Sequence, residues 1–411
     1  MSDVTTAYAD LIDELASGKR RFHALPAELS AEDAATIRRA ALERKLGVDL
    51  SKTGEYGLNA ETAADRHCEN MIGATQIPVG VAGPIVVRGE HADGDFYVPL
   101  ATTEGALIAS INRGCAAIRA AGGAVVHVED VGITRAPVFK TSGLRQTREL
   151  LDWVEANEQQ MREVAEATSR YLRLLDVRTY AIGTTVFVRF RFSSGDAMGM
   201  NMATIACDRV VHELVEPATG VACIALSGNY CVDKKPSAVN FQHGRGKRLQ
   251  AEVVLEADVL RRLKTTAAQL VEVQYRKNLM GSIAAGSIGY NAHFANVLAA
   301  FFLATGQDPA HVAEASMGVT TIEPHGEDGV IASVYLPDTP VAAVGGGTSL
   351  ETQREALAIL GVVPDPERPG EAALHLAEVL AATVLAGEIS LMAAFTSQDL
   401  AGAHERLGRS S

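Results

Sequence analysis

An apolar segment near the end of the chain, LAEVLAATVLAGEISLMAAF at residues 376–395, is the feature that most constrains the fold. Glu378 and Glu388 interrupt it, so no uninterrupted run reaches the ~20 apolar residues of a membrane span. We therefore predict a protein without a membrane segment. The 411 residues are 47% hydrophobic and 21% charged, which is typical of a globular protein with two or three domains.

The charge and the cysteine content exclude several classes of protein. A net charge of −13 argues against nucleic-acid binding, which needs a basic surface. The N-terminus, MSDVTTAYADLIDELASG, carries acidic residues where a secretory signal has basic and apolar ones. The five cysteines are odd in number and lack CxxC spacing, which indicates a reduced, cytoplasmic protein.

Helical patterns dominate both ends of the sequence. Residues 1–68 are predicted to be helical, with Ser30 as an N-cap and Gly47 as a stop. Another helix is predicted to end at Gly122. Beyond Pro236 the chain is rich in Ala and Gly, and we predict helices there up to its end.

Residues 137–226 read as a compact unit of their own. A long helix is predicted over residues 147–175, and TTVFVRFRF at 184–192 alternates with the period of a half-buried strand. A helix and a second strand at 221–226 follow, which makes the unit βαβ-like. We predict an α+β protein with a helical segment 1–68, a large domain 69–136 and 227–411, and a small inserted domain 137–226.

Two glycine-rich segments offer backbone N–H groups to a phosphate, although neither GxGxxG nor GxxxxGK[ST] is present. SSGDAMGMNM, residues 193–202, lies between a predicted strand and a predicted helix, where the helix dipole favours an anion. Gly195 and Gly199 permit a close approach of the backbone. VGGGTSL, residues 344–350, is similar. An ordinary turn is the alternative at both places.

Four positions are candidates for acid–base chemistry. TTEG, residues 102–105, is predicted to begin a helix, and its small neighbours predict a partly buried Glu104 with a raised pKa. Asp308 follows an apolar helix, His404 lies in the tail, and Lys234 lies in a DKK triplet between an apolar strand and Pro236. A solvated surface position is the alternative for each. There is no HExxH and no paired His/Cys spacing, so no metal site is predicted.

Eight motifs, taken together and in order, resemble one family from about residue 69 to the end. They are ENMIGATQIPVGVAGP, TTEGALIASINRGC, GDAMGMNM, SGNYCVDKKPSAVNF…GRGK, KNLMGSIAAGSIGYNAHFAN, GQDPA, VGGGTSL, and LAGEISLMAA followed by a tail histidine. The family is 3-hydroxy-3-methylglutaryl-coenzyme A (HMG-CoA) reductase, and the chain resembles the soluble catalytic portion of its NADPH-dependent class I form. Ala74 departs from the pattern, because many members have an aromatic residue there.

The resemblance implies a fold and a set of roles. The large domain is expected to surround a central helix, and the inserted domain to be ferredoxin-like. Lys234 is expected to stabilise the oxyanion formed when hydride reduces a thioester. Glu104 resembles the proton donor, Asp308 the acid that couples Lys234 and Glu104, and His404 the acid that protonates the coenzyme A thiolate.

The resemblance also implies binding residues. The expected substrate contacts are Arg135, Ser227, Asp233, Lys235, Lys277 and Asn296. The expected cofactor contacts are Asp196, Met198, Gly199, Met200, Asn201, Gly345 and Gly346, together with Ser169 and Arg170 at the 2′-phosphate of NADPH. An arginine fork suits a phosphate dianion.

The expected activity is four-electron reduction of HMG-CoA to mevalonate and free coenzyme A with two NADPH, through a mevaldyl-CoA hemithioacetal and mevaldehyde. The expected assembly is a homodimer or a dimer of dimers with sites between subunits. Two alternatives remain open at this point: an NAD-linked relative that works in mevalonate oxidation, and a non-catalytic acyl-CoA-binding homologue. The presence of all four acid–base candidates disfavours the second.

Overall fold

One ten-stranded sheet runs through the part of the protein that the structure, a computed structural model, describes, residues 3–396. Its strands are β1 (Val79–Arg88), β2 (Asp93–Ala101), β3 (Ala124–Arg135), β4 (Val138–Lys140), β5 (Arg173–Ile182), β6 (Thr185–Ser193), β7 (Cys223–Ala225), β8 (Arg245–Leu255), β9 (Val319–His325) and β10 (Gly329–Thr339).

The α-helices lie mostly between these strands. They are α1 (Asp3–Ala7), α2 (Ala9–Ala16), α3 (Ala31–Leu46), α4 (Ala60–Arg66), α5 (Leu107–Ala120), α6 (Leu144–Ala156), α7 (Glu158–Glu166), α8 (Met200–Val210), α9 (Glu216–Thr219), α10 (Ala238–His243), α11 (Ala257–Arg262), α12 (Ala267–Val273), α13 (Ser282–Ala285), α14 (Phe294–Thr305), α15 (Val312–Ala315), α16 (Glu351–Ile359) and α17 (Glu371–Thr396). Short 3₁₀ or π turns occur at Lys52–Gly54, Val211–Val215, Gln274–Gly281, Pro309–His311 and Gly346–Ser349.

The apolar segment that opened the sequence analysis forms α17, the longest helix among the described residues. It is long and apolar enough to cross a membrane, but 83% of its most apolar stretch is buried inside the protein. It packs against α5, α14, β3 and β8. The contact with α5 is close at Gly114, where a Cβ atom would lie 1.9 Å from the carbonyl oxygen of Ala386.

Glu378 and Glu388 of α17 are fully buried, and backbone N–H groups bind both of them. Glu378 accepts hydrogen bonds from the N–H groups of Glu90, His91 and Ala92, which form the turn between β1 and β2. Glu388 accepts from Ala292 and His293, at the start of α14, and from the Thr320 hydroxyl. Buried carboxylates need such partners. The charges that interrupt the apolar segment therefore connect the core helix to two loops.

Strand β3 belongs to two parts of the sheet. Its first part pairs with β8 and, at Ala124 and Val125, with β1. Its last residues, Ile133–Arg135, pair instead with β6. On the far side of β8 the sheet continues through β10 to β9. One strand thus carries the backbone ladder from the large part of the protein into the small one.

The small part contains the predicted strand–helix–strand unit. The predicted strands at 184–192 and 221–226 are confirmed as β6 and the short β7, with α8 between them. The strand order is β5-β6-β4-β7, and β4 pairs antiparallel with both β6 and β7. The long helix predicted over 147–175 was wrong at its end. The chain breaks between α6 and α7 and then enters β5, because tertiary pairing with β6 overrides the helical pattern.

The predictions for the rest of the chain were partly right. The helical N-terminal segment is confirmed, with the Ser30 side chain accepting from the Asp33 N–H and Gly47 in the left-handed region. The prediction of helices alone beyond Pro236 was wrong, because β8, β9 and β10 lie there. The core helix α17 packs against β8 and β10, and most residues of these two strands are buried or half-buried.

Buried apolar side chains form separate clusters that bear on the domain division. One cluster spans residues 82–128 and 249–393, a second spans residues 133–221, and a small third one lies within α2 and α3. The domain limits at 137 and 226 and the ferredoxin-like character of the insertion remain predictions. The second cluster and the strand order β5-β6-β4-β7 support them.

Candidate active site

The DKK loop places one lysine against one aspartate. Lys234 Nζ lies 2.8 Å from Asp308 Oδ2, and both side chains stay partly exposed. The hydrogen bond that Lys234 donates to Asp308 raises the pKa of Lys234. Desolvation opposes ionisation of Asp308, but the hydrogen bonds from Lys234 and the Ala310 N–H outweigh it and lower the pKa of that carboxyl. The pair is therefore fully charged at neutral pH.

Buried charges hold the loop from behind. Arg245 is fully buried and donates to Asp233 at 2.8 Å, to Glu314 at 2.5 Å and to the Thr134 hydroxyl at 3.1 Å. The Lys235 N–H also points to Glu314, at 3.3 Å, and Lys235 Nζ donates to the carbonyl oxygen of Asp233. A buried guanidinium in this position requires several oxygen partners, because its charge has lost its water.

The backbone of the loop adopts strained conformations. Asn229, Val232 and Lys234 have φ angles of 64°, 51° and 59°, a region that side chains with a Cβ seldom occupy. Two buried contacts hold these residues: Asn240 donates to the carbonyl oxygen of Val232, and Thr134 donates to that of Cys231. Such strain persists where the surroundings determine the conformation, and it is common at functional sites.

A cleft of about 590 Å³ brings the two glycine-rich segments beside Asp308. Its walls include Met198, Gly199, Met200, Asn201, Gly345 and Gly346. Gly199 has a φ of 94° at the N-terminus of α8, and a Cβ there would lie 2.4 Å from the Ser194 hydroxyl oxygen. Only glycine fits this turn, so the backbone itself forms the wall in front of the helix N-terminus.

Asp196, a predicted cofactor contact, has a structural partner. Its carboxylate accepts a hydrogen bond at 2.9 Å from the N–H of Ala373, in the first turn of α17, and its backbone oxygen accepts from Ala343 and Val344. The side chain therefore caps the core helix from a distance. It faces a smaller pocket beside the cleft, together with Tyr171.

Ser169 and Arg170 lie in the turn between α7 and β5. The Arg170 guanidinium lies 4.5 Å from the centre of the Tyr171 ring, a cation–π contact. Tyr171 lines the smaller pocket with Ala197 and Val344, and these two residues also line the cleft. Arg170 is exposed at the outer edge of this surface.

The predicted substrate contacts fall into two groups. Arg135 donates to the Thr204 hydroxyl of α8, and the Ser227 hydroxyl lies 3.5 Å from Cys231 Sγ, so both lie next to the DKK loop. Lys277 and Asn296 lie elsewhere, near the buried Glu388. Lys277 is half-buried, and desolvation lowers its pKa. Asn296 stands on the first turn of α14, whose start Glu388 holds.

The expectation of a partly buried Glu104 was wrong. Glu104 lies in a turn before α5 rather than in the helix, its side chain is exposed, and its N–H bonds to the Thr102 hydroxyl. The small neighbours on which the expectation rested do not cover the Glu104 side chain. His404 lies outside the described residues 3–396.

The sequence patterns missed His311, Glu314, Arg245 and Asp338. All four are fully buried charged or titratable residues around the DKK loop. His311 and Glu314 follow Asp308 at intervals of three and six residues, which carries no motif. The side-chain atoms of Asp233, His311 and Glu314 lie within 4.8 Å of one another, a spacing that could hold a metal ion. Arg245 already donates to two of these three residues, Asp233 and Glu314.

Comparisons with known proteins agree on one family. A family model described as Hydroxymethylglutaryl-coenzyme A reductase matches residues 34–409. The chain is 47% identical over 404 residues to the 3-hydroxy-3-methylglutaryl-coenzyme A reductase of Pyrococcus abyssi, covering 97% of this chain and 99% of that one. It is 51% identical over 403 residues to that of Aeropyrum pernix, covering 97% and 96%.

A plant enzyme and a bacterial structure extend the comparison. Reductase 1 of Arabidopsis thaliana is 42% identical over 92% of this chain and 64% of its own. The class II reductase of Streptococcus pneumoniae, solved with NADPH in open conformations, superposes with a TM-score of 0.66 at 17% identity, over 96% of this chain and all of that one. The chain belongs to the hydroxymethylglutaryl-coenzyme A reductase family.

Proposed function

We propose that this protein reduces HMG-CoA to mevalonate and free coenzyme A with two NADPH. Family membership supports the reaction. The structural observation that supports this reaction is the Lys234–Asp308 ion pair. Asp308 lies at the wall of the cleft that both glycine-rich segments line. A cation beside a nucleotide-sized cleft is what hydride reduction of a thioester needs.

The cleft fits NADPH. The first N–H groups of α8 and the positive φ of Gly199 form a site for a pyrophosphate. Gly345 and Gly346 form the opposite wall with φ angles of 80° and 53°, and a Cβ on either would meet no atom within 4 Å. When bound, NADPH supplies the hydride. The residues of this chain bind and orient it, and Ser169 and Arg170 are proposed to contact its 2′-phosphate.

Lys234 stabilises negative charge on the substrate. The thioester carbonyl gains a hydride at carbon, its oxygen becomes an alkoxide, and the hemithioacetal forms when that oxygen is protonated. Lys234 Nζ turns to this oxygen and donates to it, and Asp308 holds the charged lysine beside the cleft until then. The stabilisation is greater for the alkoxide than for the neutral carbonyl, so it lowers the barrier.

The remaining acids act in later steps. The hemithioacetal hydroxyl gives up its proton as the carbon–sulfur bond breaks, which yields mevaldehyde and a thiolate, and we assign protonation of that thiolate to His404. The second hydride then reduces the aldehyde carbonyl, and protonation of its oxygen gives mevalonate. Glu104 is assigned as the acid that donates a proton to the substrate oxygen. The charge of Asp308 is coupled electrostatically to that of Lys234.

The substrate contacts are assigned in the same way. Arg135, Ser227 and Lys235 are proposed to bind the carboxylate end of the substrate, with Asp233 ordering the DKK loop through Arg245. Lys277 and Asn296 complete the set.

We infer that the site is completed by a second subunit. Glu104 is exposed and does not line the cleft, and Lys277 and Asn296 lie near Glu388 rather than near the loop. Val79, Val81 and Tyr97, on the neighbouring strands β1 and β2, leave more than half of their surface exposed, at 62%, 53% and 54%. An apolar face of this kind is suited to contact between copies. We propose a homodimer or a dimer of dimers.

We further propose that the chain is of the class I type and works in the cytoplasm. Its identity to the archaeal and plant relatives named above is 42–51%, against 17% for the class II structure. Burial of α17 in the core supports function without a membrane anchor within residues 3–396.

Following the absorbance band of NADPH during incubation with HMG-CoA tests the function. We expect two NADPH consumed for each coenzyme A released, and slower oxidation when NADH replaces NADPH. Binding of HMG-CoA without NADPH consumption would contradict the reductase and favour a non-catalytic acyl-CoA-binding protein. A preference for NADH would favour the NAD-linked relative instead.

A further inference from the structure

His311 is a buried histidine that the mechanism above does not use. It lies directly behind Asp308, at the end of the short 3₁₀ turn that the Asp308 carboxylate caps, and none of its surface is exposed. Its Nδ1 atom lies 2.5 Å from Glu314 Oε1. Since an ionised carboxylate only accepts hydrogen bonds, Nδ1 carries a proton in this contact.

The other ring nitrogen faces the proposed catalytic pair. His311 Nε2 lies 3.6 Å from Asp308 Oδ2, the same oxygen that Lys234 contacts at 2.8 Å. This separation is just longer than a hydrogen bond, and Nε2 has no other hydrogen-bond partner among residues 3–396. A buried polar atom without a partner is costly and is rare in native structures.

Several charged groups lie close to the His311 imidazole. Three carboxylates face it: Asp308, Glu314 and Asp233, the last at 4.0 Å from Nδ1. Arg245 pairs with both Glu314 and Asp233 from the far side, one cation for two carboxylates. Lys234 neutralises Asp308 only while it remains on that carboxylate. The charge balance around Asp308 therefore changes whenever Lys234 moves.

We propose that His311 is a positioning residue that takes over Asp308 when Lys234 turns toward the substrate oxygen. With Nδ1 on Glu314, a protonated Nε2 donates to Asp308 Oδ2 after a shift of less than 1 Å, roughly the difference between 3.6 Å and a normal hydrogen bond. Asp308 then keeps a hydrogen-bond donor throughout turnover. The inference rests on the proposed function, because it gives Lys234 a substrate oxygen to meet.

The arrangement is a chain of polar side chains. It runs from Lys234 through Asp308, His311 and Glu314 to Arg245, with each contact made by a named pair of atoms. Orientation of an imidazole by a buried carboxylate on one nitrogen, so that the other is presented to a reacting group, is a known device in enzymes. In this protein the nitrogen in question is His311 Nε2, and it faces the Asp308 carboxylate rather than a nucleophile.

Two substitutions test the contacts of the two His311 ring nitrogens separately. In His311→Asn the amide nitrogen replaces Nδ1, so the contact with Glu314 is kept and the group facing Asp308 is lost. In His311→Gln the amide reaches the position of Nε2 and can still donate to Asp308. His325→Gln, at the exposed end of β9, is the matched control.

We expect kcat for HMG-CoA reduction to fall about 10- to 100-fold in His311→Asn, the scale for losing a hydrogen bond to a charged group. The KM values for NADPH and HMG-CoA should change less than about twofold. His311→Gln should retain kcat within about threefold of wild type, and His325→Gln should match wild type.

Several results would overturn the proposal. They are an unchanged kcat in His311→Asn, or equal losses in both His311 variants with raised KM values and a lowered Tm, which indicate a purely structural role. If His311→Asn does not fold, a folded His311→Gln protein with a tenfold loss of kcat overturns it as well. A wild-type protein that does not oxidise NADPH with HMG-CoA rejects the proposed function itself, which is a separate outcome.

Discussion

Lys234 is held by an ion pair at the edge of a cleft, so its removal leaves no charge in the core. The partner, Asp308, keeps about a third of its side chain exposed and can be hydrated. We expect Lys234→Ala to fold normally and to lose kcat by at least ~10²-fold, the scale for removing one oxyanion donor. Steady-state rates with HMG-CoA check this, with the exposed Lys19→Ala as control. Near-normal kcat would remove Lys234 from the mechanism.

Arg170 makes no described ion pair and stacks on Tyr171. If it reads the 2′-phosphate, Arg170→Ala should raise the KM for NADPH roughly 10- to 150-fold, the cost of a charge-assisted hydrogen bond, and leave the KM for NADH nearly unchanged. Arg145→Ala, on α6 of the same part of the protein, is the control. A variant with the wild-type ratio of the two KM values would show that Arg170 does not read the phosphate.

His404 is assigned to one chemical step, so the two half-reactions can be separated. An imidazole without strong perturbation titrates near neutral pH and can donate a proton there. His404→Gln should therefore cripple reduction of HMG-CoA and largely spare reduction of added mevaldehyde, which has no thiolate to expel. Rates with both substrates in the same variant give the answer. Equal losses on the two would assign His404 a different role.

Single residues were predictable where a motif names them. Lys234 and Asp308 were found because the motifs that contain them, SGNYCVDKKPSAVNF and GQDPA, resemble the family when read in order with the other six, and the structure brings their side chains together. His311 and Glu314 were missed because their significance depends on Arg245, far away in the chain. The exposure of Glu104 was mispredicted because small neighbours in sequence do not have to cover a side chain in space.

At the scale of elements, α17 depends on polar contacts as well as on apolar burial. Glu378→Ala would leave the N–H groups of Glu90, His91 and Ala92 without their acceptor. Ala92 is buried, and an unsatisfied buried group costs about 1–3 kcal/mol, so we expect a loss of about 1–3 kcal/mol in the free energy of unfolding. Urea denaturation measures it.

The matched control is Glu371→Ala in the first turn of the same helix. Glu371 pairs with His91 but is partly exposed, so its removal should cost under ~1 kcal/mol. If the two variants lose the same stability, the turn between β1 and β2 does not depend on Glu378.

Elements with local signals were predictable and those with distant partners were not. Ser30 and Gly47 mark the ends of α3 because caps act within one turn. The strand β8 was missed because its ladder partners, β3 and β10, lie far away in sequence. Nothing within a stretch such as AEVVLEADVL tells a buried strand from a helix until those partners are known.

At the scale of the whole molecule, the proposed shared site predicts complementation between two inactive proteins. Glu104→Gln and Lys234→Ala should each be inactive alone. If Glu104 and Lys234 of one site come from different subunits, each mixed dimer contains one site with both residues intact. Random reassociation of equal amounts would then restore about a quarter of wild-type activity. Mixing each variant with itself is the control, and no recovery in the mixture would place both residues in one subunit.

The overall plan was partly predictable for a physical reason. The strand–helix–strand unit has its own periodicity and its own apolar residues, so its presence as an insertion can be predicted from the sequence. The point at which β3 changes from pairing with β8 to pairing with β6 cannot be predicted from the sequence. Its residues before and after Gly132 are similarly apolar, and only the positions of β8 and β6 decide which part pairs with which strand.

The position of β3 has a consequence for how the chain is made. Residues 136–244 leave the ribosome between β3 and its long partner β8. At ~5–20 residues per second, that edge of β3 stays without β8 for about 5–20 s. During this interval β6 is already available to pair with Ile133–Arg135. We therefore expect the insertion to fold first and to hold the end of β3 extended, so that β8 meets a strand already in place when it emerges.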